Sequence, residues 1–268
     1  MNKINSHTFD IGYMDTLASS HSFLHRLDPR SKVITTLVFI VAVVSFDKYA
    51  LSALIPFFIF PVVLMAAGNL PAGYLWRKVY LVSPFAVLVG IFNPLVDREL
   101  IHVFGSVSIP GGWISFLSIV LRFVLTVLAA LILVASTGFN AVCLALDKLG
   151  LPRPFVVQML FLYRYLFVLS SEAERMARAR ALRTFAPGAM KFKVFVSLAG
   201  QLLLRTLDRA ERIYLAMCCR GFDGHVRMIR PMSISSKEIL FLLGWSLVFV
   251  ALRFYNIPLE LGKLITGG

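Results

Sequence analysis

The sequence predicts an all-α integral membrane protein, with about five transmembrane helices and a cytoplasmic domain of long amphipathic helices. Three observations carry this. Of 268 residues, 58% are hydrophobic and only 15% charged, whereas a soluble domain is about 25% charged. Uncharged runs over 49–76, 79–96, 103–121 and 123–146 match the roughly 20 apolar residues that a spanning helix needs. The remaining charge gathers in residues 137–235, which hold 15 basic and 6 acidic side chains.

The elements follow in chain order. The first 30 residues carry scattered charges and histidines, without the apolar core and small-residue site of a cleavable signal peptide. Asp28-Pro29 reads as an N-cap with proline at the first helical position, opening a helix that runs to about Phe46. Its apolar part is short for a span, so Arg30 and Lys32 are expected to snorkel at its start. Asp47-Lys48 interrupts. Further spans are expected at about 50–68, 79–96, 113–136 and 238–255. Two more apolar stretches, 155–169 and 194–204, are interrupted or flanked by charge and stay outside the count. The expected organisation is an N-terminal segment with four spans (1–136), a cytoplasmic domain (137–235), and a final span with its tail (236–268).

Basic residues favour the cytoplasmic side of membranes. A cytoplasmic N-terminus and five spans put 22 lysines and arginines inside and 4 outside, with Arg122 within the fourth span. The net charge of +13 is therefore in part a topology signal and calls for no nucleic acid.

The cytoplasmic segment contains an internal repeat. AERMARARALRTF (173–185) and AERIYLAMCCRGF (210–222) align without a gap: Ala173, Glu174, Arg175, Ala179, Arg183 and Phe185 match Ala210, Glu211, Arg212, Ala216, Arg220 and Phe222. Pro187-Gly188 and Gly221 break the two helices just beyond the matched arginines. Arginine suits the last turn of a helix, and Gly221 suits the left-handed position after it. Each guanidinium then projects from a blunt tip, ready to pair with a carboxylate. Phe185 and Phe222 add an apolar anchor beside each charge. Lipid headgroups are the competing partner, but they do not require matched spacing. Two copies of one tip suit a partner that offers the same socket twice, as a symmetric dimer does. Phe155, Met159, Leu162 and Leu166 fall on one helical face, and Leu203, Leu207, Ile213 and Met217 more loosely on another. Glu174 with Arg178, and Asp208 with Arg212, have the spacing of helical ion pairs.

With HRLDPRSK (25–32) entering the first span, ALRTF closing one charged helix and AMCCRGFDG closing the other, the chain resembles the transmembrane (T) component of energy-coupling factor (ECF) transporters, of the cobalt-type CbiQ family. The resemblance covers nearly the whole chain. It implies a membrane scaffold whose coupling helices each end in an X-Arg-X motif that inserts into one ATPase subunit. Here the motifs are Leu182-Arg183-Thr184 and Cys219-Arg220-Gly221. The second fits the small-Arg-Gly pattern; the first departs from it, and Ala179-Arg180-Ala181 is a rival register that the repeat disfavours. The implied partners are two ATPase subunits, a separate substrate-binding membrane subunit and the lipid bilayer. The implied cargo is cobalt or nickel, and the implied location is the plasma (inner) membrane.

No cofactor or catalytic site is expected in this chain. It has no G-x-x-x-x-G-K-[ST] loop and should not hydrolyse ATP alone. His7, His21, His25, His102 and His225 lie far apart or on charged segments, and no acidic residue or cysteine completes a metal site around His21 and His25. Cys143, Cys218 and Cys219 form no CxxC and read as buried or reduced thiols. Arg122 is costly within a span. Its alternatives are a helix carbonyl, the substrate-binding subunit, or snorkelling towards the outer interface; a structural contact is expected rather than a transport step, and Asn93-Pro94 is one place where a carbonyl is freed. An autonomous transporter or channel is the alternative, but the repeat is cytoplasmic and does not duplicate the spans. An intramembrane enzyme would need acidic or histidine side chains at membrane depth, which the spans lack.

Overall fold

Asp28 opens the first long helix of the computed structural model as its chemistry dictates. Its carboxylate accepts the Arg30 backbone N–H at 2.8 Å and Pro29 takes the first helical position. The structure describes residues 12–20, 22–47, 50–96, 100–104, 107–183, 192–224 and 235–254. They belong to two units, one built on Phe139–Pro231 and one on Met14–Gly138 with Met232–Gly268.

The second of these carries five long helices: α1 (Pro29–Val44), α2 (Leu51–Gly68), α3 (Ala72–Gly90), α4 (Gly111–Thr137) and α8 (Ser236–Phe254). A 3-10 turn at Ile55–Phe58, around Pro56, lies within α2. The all-α expectation holds with one local departure. A short antiparallel hairpin, β1 (Leu100–Phe104) and β2 (Val107–Pro110), precedes α4. The third helix also differs from its expected bounds. It starts at Ala72, bringing Arg77 and Lys78 into its first turns, and ends at Gly90 rather than at 96. Lys78 covers the Tyr74 ring one turn earlier, at 5.4 Å, so its charge is carried over an aromatic face. Asn93–Val96 forms a separate helical turn, with Pro94 in its first positions, where proline is tolerated.

Aromatic packing holds α1, α2 and α8 together. Phe39, Phe57, Phe60 and Phe249 are fully buried. Phe39 stacks on Phe60 at 4.6 Å, and Phe249 meets both edge-on at 5.3 and 5.0 Å, geometries that suit the ring quadrupole. The α3–α4 contact depends on a missing side chain. A Cβ at Gly90 would stand 2.8 Å from the Phe116 ring. The outer faces of α3 and α8 expose Tyr80, Leu81, Phe85, Leu240 and Leu247, as suits helices solvated by lipid. By length and composition alone, α2, α4 and Arg153–Arg183 are apolar enough to cross a membrane. The last of these is one of the two stretches outside the expected five.

Both ends of the α1–α4 pair are closed by cations on carbonyls. Lys32 does not snorkel as expected. It is 5% exposed and turns inward, its Nζ donating to the Ser136 carbonyl at 3.1 Å. That carbonyl lies in the last turn of α4, where no backbone donor remains and the helix dipole favours a cation. At the other end, Arg122 of α4 donates to the Asp47 carbonyl just past α1. Arg253 of α8 donates to the Ser45 carbonyl at 3.0 Å and lies over the Phe46 ring at 4.4 Å. Arg122 thus meets a carbonyl beyond α1, not one freed by Asn93-Pro94.

Replacing Arg122 with leucine should leave the Asp47 carbonyl without its charged donor. A hydrogen bond of that kind contributes about 1.5–3 kcal/mol, and partial exposure places this one at the low end. The thermal unfolding midpoint in detergent should fall, and Arg122→Lys should recover part of the loss. An unchanged midpoint for Arg122→Leu would show that the bond contributes nothing to stability.

Candidate functional site

The other unit is made of α5 (Phe139–Lys148), α6 (Arg153–Arg183) and α7 (Phe192–Cys219). Phe139 stacks on Tyr163 at 4.5 Å and fixes α5 to α6. The first half of α6 is apolar and its charged half begins at Glu172. The expected Glu174–Arg178 pair forms at 3.7 Å. Asp208–Arg212 is not among the ion pairs of the described residues. Glu172 instead accepts from Arg175, one turn along α6, and from Arg205 of α7 at 2.7 Å. Those two guanidiniums, Arg175 first, hold the Glu172 carboxyl below the usual carboxylate range, so it stays ionised and keeps both bonds.

This inter-helix pair marks where α6 and α7 cross, and they cross in antiparallel sense. On one side the gap is lined by α6 before Glu172 and α7 after Arg205. On the other it is lined by α6 after Glu172 and α7 before Arg205. The 37-residue offset of the repeat pairs Ser170 with Leu207. Each lies two residues from its helix's partner in the ion pair. Arg183 lies 13 residues beyond Ser170, and Arg220 lies 13 beyond Leu207. At 1.5 Å per residue each of these stretches is about 20 Å long. Counted from the ion pair itself, Arg183 lies 11 residues beyond Glu172 and Arg220 lies 15 beyond Arg205, so the two arginines are carried away from the crossing in opposite directions on arms of similar, not identical, length.

Each arginine ends its helix. Arg183 is the last residue of α6, and Leu182 beside it is 86% exposed; Thr184 and Phe185 lie outside the described residues. At the second tip the whole motif is described. Cys219 closes α7, Arg220 follows in a turn, and Gly221 has φ +72°. The Phe222 N–H donates to the Met217 carbonyl and the Gly221 N–H to the Cys218 carbonyl, both at 3.0 Å. These are the two bonds of a glycine-terminated helix end, which pairs an apolar residue after the glycine with one in the last turn. Phe222 and Met217 do line one groove, an apolar space of about 530 Å³ between α6 and α7 that also receives Leu162, Tyr165 and Leu207. Phe222 is thus turned back into its own unit, while Arg220 is exposed.

The remaining sequence candidates fall elsewhere. Arg122 belongs to the span-bearing unit. His25 hydrogen-bonds the Ser22 and Ser20 hydroxyls. Among the described residues no three His, Cys, Asp or Glu side chains gather as a metal site. Cys143 is buried, and Cys218 and Cys219 are exposed free thiols. The Glu172–Arg205 contact escaped sequence reasoning, because an inter-helix pair has no fixed spacing. Its one signal is that Arg205 lies in a long stretch without acids.

Residues 20–231 match the family described as cobalt transport protein. An uncharacterized protein of Methanocaldococcus jannaschii is 29% identical over 239 residues, which cover 85% of this chain and 81% of that one. The energy-coupling factor transporter transmembrane protein EcfT of Bacillus subtilis is 27% identical over 218 residues, covering 76% of this chain and 82% of its own. Its namesake in Leuconostoc gelidum is 26% identical over 259 residues, covering 87% and 94%.

The geometry of the second tip generates a test of its own. An added Cβ at Gly221 meets nothing within 4 Å, so alanine there costs only the left-handed backbone, about 1 kcal/mol. Amide exchange at Gly221 and Phe222 should then accelerate about fivefold, since 1.4 kcal/mol is tenfold. Gly221→Asn should be milder, because asparagine tolerates that conformation. Equal protection in all three chains would mean that the glycine does not set the helix end.

Proposed function

The chain belongs to the cobalt transport protein family as a transmembrane (T) component of the energy-coupling factor type, and we propose that it is the scaffold of an ATP-driven importer. It joins two cytoplasmic ATPase subunits to a substrate-binding membrane subunit and carries out no catalysis itself. The proposed cargo is cobalt or nickel ion, held by another subunit. In this reading the chain lies in the plasma (inner) membrane with its N-terminus in the cytoplasm. Residues 1–136 and 236–268 supply the spans, and 137–235 the coupling domain.

The observation that best supports this reading is the repeated tip, one arginine at or just past the end of each of two crossing helices. Two like ATPases present two like sockets, and Arg183 and Arg220 hold matching places in the two copies of the repeat. Leu182 and Thr184 flank the first arginine, Cys219 and Gly221 the second. Each guanidinium would enter an acidic socket, with Phe185 as an apolar anchor at the first tip; Phe222, expected to do the same at the second, packs into the groove of its own unit instead. The Glu172–Arg205 bond ties the arms where they cross. A relative movement of the sockets during ATP binding and hydrolysis would then turn both helices together. The sequence supplies no phosphate-binding loop of its own, which fits a chain that transmits the motion without generating it.

Two measurements test this reading. Cysteines introduced at positions 185 and 222 should label only from the cytoplasmic side, and one at position 104 only from outside; labelling of both tips from outside would reverse the orientation. Arg183→Glu or Arg220→Glu sets carboxylate against carboxylate, where losing one member of a desolvated charge pair already costs about 2–5 kcal/mol. Each single variant should lose much transport yet retain some ATPase. The double variant should lose the ATPase while still inserting in the membrane, and Arg178→Ala, on the shaft, should have little effect. Unchanged ATPase co-purification with the double variant would overturn the coupling role.

A further inference from the structure

The two arms are held together by little apolar packing. None of the 28 residues of α7 is buried, and α6 buries only Val156 and Met176 of its 31. Beside the crossing lie the apolar groove on the Phe222 side and, on the Arg183 side, a cleft lined by Arg175, Arg180 and Arg205. Interlocked side chains are what normally fix the position and angle of a helix pair, and this pair has few. The crossing contact is built differently. Glu172 sets one carboxylate oxygen on Arg175 of its own helix and the other on Arg205 of α7. Its side chain is 17% exposed, against 61% and 60% for the two arginines. The carboxylate is thus covered at the crossing, and the cations reach it from outside. Arg175 holds it in one orientation, which gives the bond to Arg205 a defined direction. The repeat offers no equivalent contact. Its 37-residue offset puts Arg209 in the place of Glu172 and Val168 in the place of Arg205, and those two side chains cannot pair.

We propose that Glu172 is the positioning residue of the coupling: it pins α6 to α7 at one point, so that displacement of either tip is passed to the other. The inference rests on the docking reading above and deepens it, by assigning the transmission to one side chain. A point contact selects the motion that survives. A slide of one helical turn, about 5.4 Å, would break the bond, whereas a change of crossing angle about it would not. Tilting therefore carries both tips together, and sliding, which would let one tip move without the other, is resisted. Loss of a partner is costly for a covered carboxylate and matters little for an exposed arginine, so the role falls on Glu172. Its two arginines divide the work: Arg175 orients the carboxylate, and Arg205 brings α7 to it.

The test uses the complete transporter in proteoliposomes and reads ATPase co-purification, ATP hydrolysis and Co²⁺ uptake, with Ni²⁺ as the second probe. Glu172→Gln keeps the shape of the side chain and removes its charge. It should hold as much ATPase as the unaltered chain, because both tips are untouched. The ATP hydrolysed per ion taken up should nevertheless rise about fivefold or more, the lower range of coupling between sites. Arg205→Gln should do the same, and Arg205→Lys should recover part of the loss. Exchanging the pair, Glu172→Arg with Arg205→Glu, should restore most of the ratio, since the carboxylate then comes from α7 and finds two cations on α6. An unchanged ratio in Glu172→Gln, or an exchanged pair as uncoupled as the single variants, overturns the proposal and leaves the docking reading standing. So does loss of the ATPase from Glu172→Gln, which would make the ion pair part of the fold of this unit and not of its transmission. A chain carrying both Arg183→Glu and Arg220→Glu that still holds the ATPase overturns the docking reading, and this proposal with it.

Discussion

A helix that ends inside an apolar layer leaves its last carbonyls with no water to bind. That constraint organises the span-bearing unit. α1 has only 16 residues, about 24 Å at 1.5 Å per residue, so it stops short beside the 27-residue α4. Arg122 and Arg253 come from two other helices to the carbonyls of Asp47 and Ser45, and Lys32 returns the same service to Ser136 at the end of α4. Three basic side chains that look anomalous among apolar neighbours thus have one explanation. Each is a donor brought to a helix end that has run out of donors. The aromatic cluster then fills the space these contacts define, with Phe249 of α8 packed on Phe39 of α1.

Local chemistry was legible in the sequence where one residue decides the outcome. Asp28-Pro29 starts α1, and Gly221 ends α7 in the left-handed conformation. What depended on partners was not legible. Composition cannot tell a snorkelling lysine from one turned inward, because the choice for Lys32 rests on a carbonyl 104 residues away. Charge made Arg77 and Lys78 look like a loop, yet the Tyr74 ring supports Lys78 within the helix. Asp208 and Arg212 had ideal spacing, but Arg205 reaches across to Glu172 of α6 instead. The hairpin at 100–110 reads in the sequence as part of an apolar run, since its residues suit either state and only Pro110-Gly111 hints at a change.

The repeat shows what duplication preserves and what it leaves free. Alignment recovers the residues that shape an arm: Ala173 with Ala210, Glu174 with Glu211, and the terminal arginines. It does not recover the surfaces between arms, where a basic cleft faces one way and an apolar groove the other. Backbone geometry sets the reach of each tip, while the side chains beside it set what else a partner meets there. The candidate site was therefore readable as a pair of points, and unreadable as a pair of surfaces.

The two arms also make α6 and α7 instruments of phase as well as of length. Each residue of an α-helix advances the chain about 1.5 Å and turns it about 100°. One residue gained or lost between Ser170 and Arg183 would barely alter the reach of the tip. It would, however, swing the guanidinium more than a quarter turn around the helix axis, away from any socket fixed in a rigid partner. A change of seven residues, close to two full turns, would restore the direction but add about 10 Å. In the proposed double docking, neither error could be absorbed on one arm while the other remained engaged. The interval between crossing and tip is thus a discrete quantity, and drift in one arm is tolerable only as substitution.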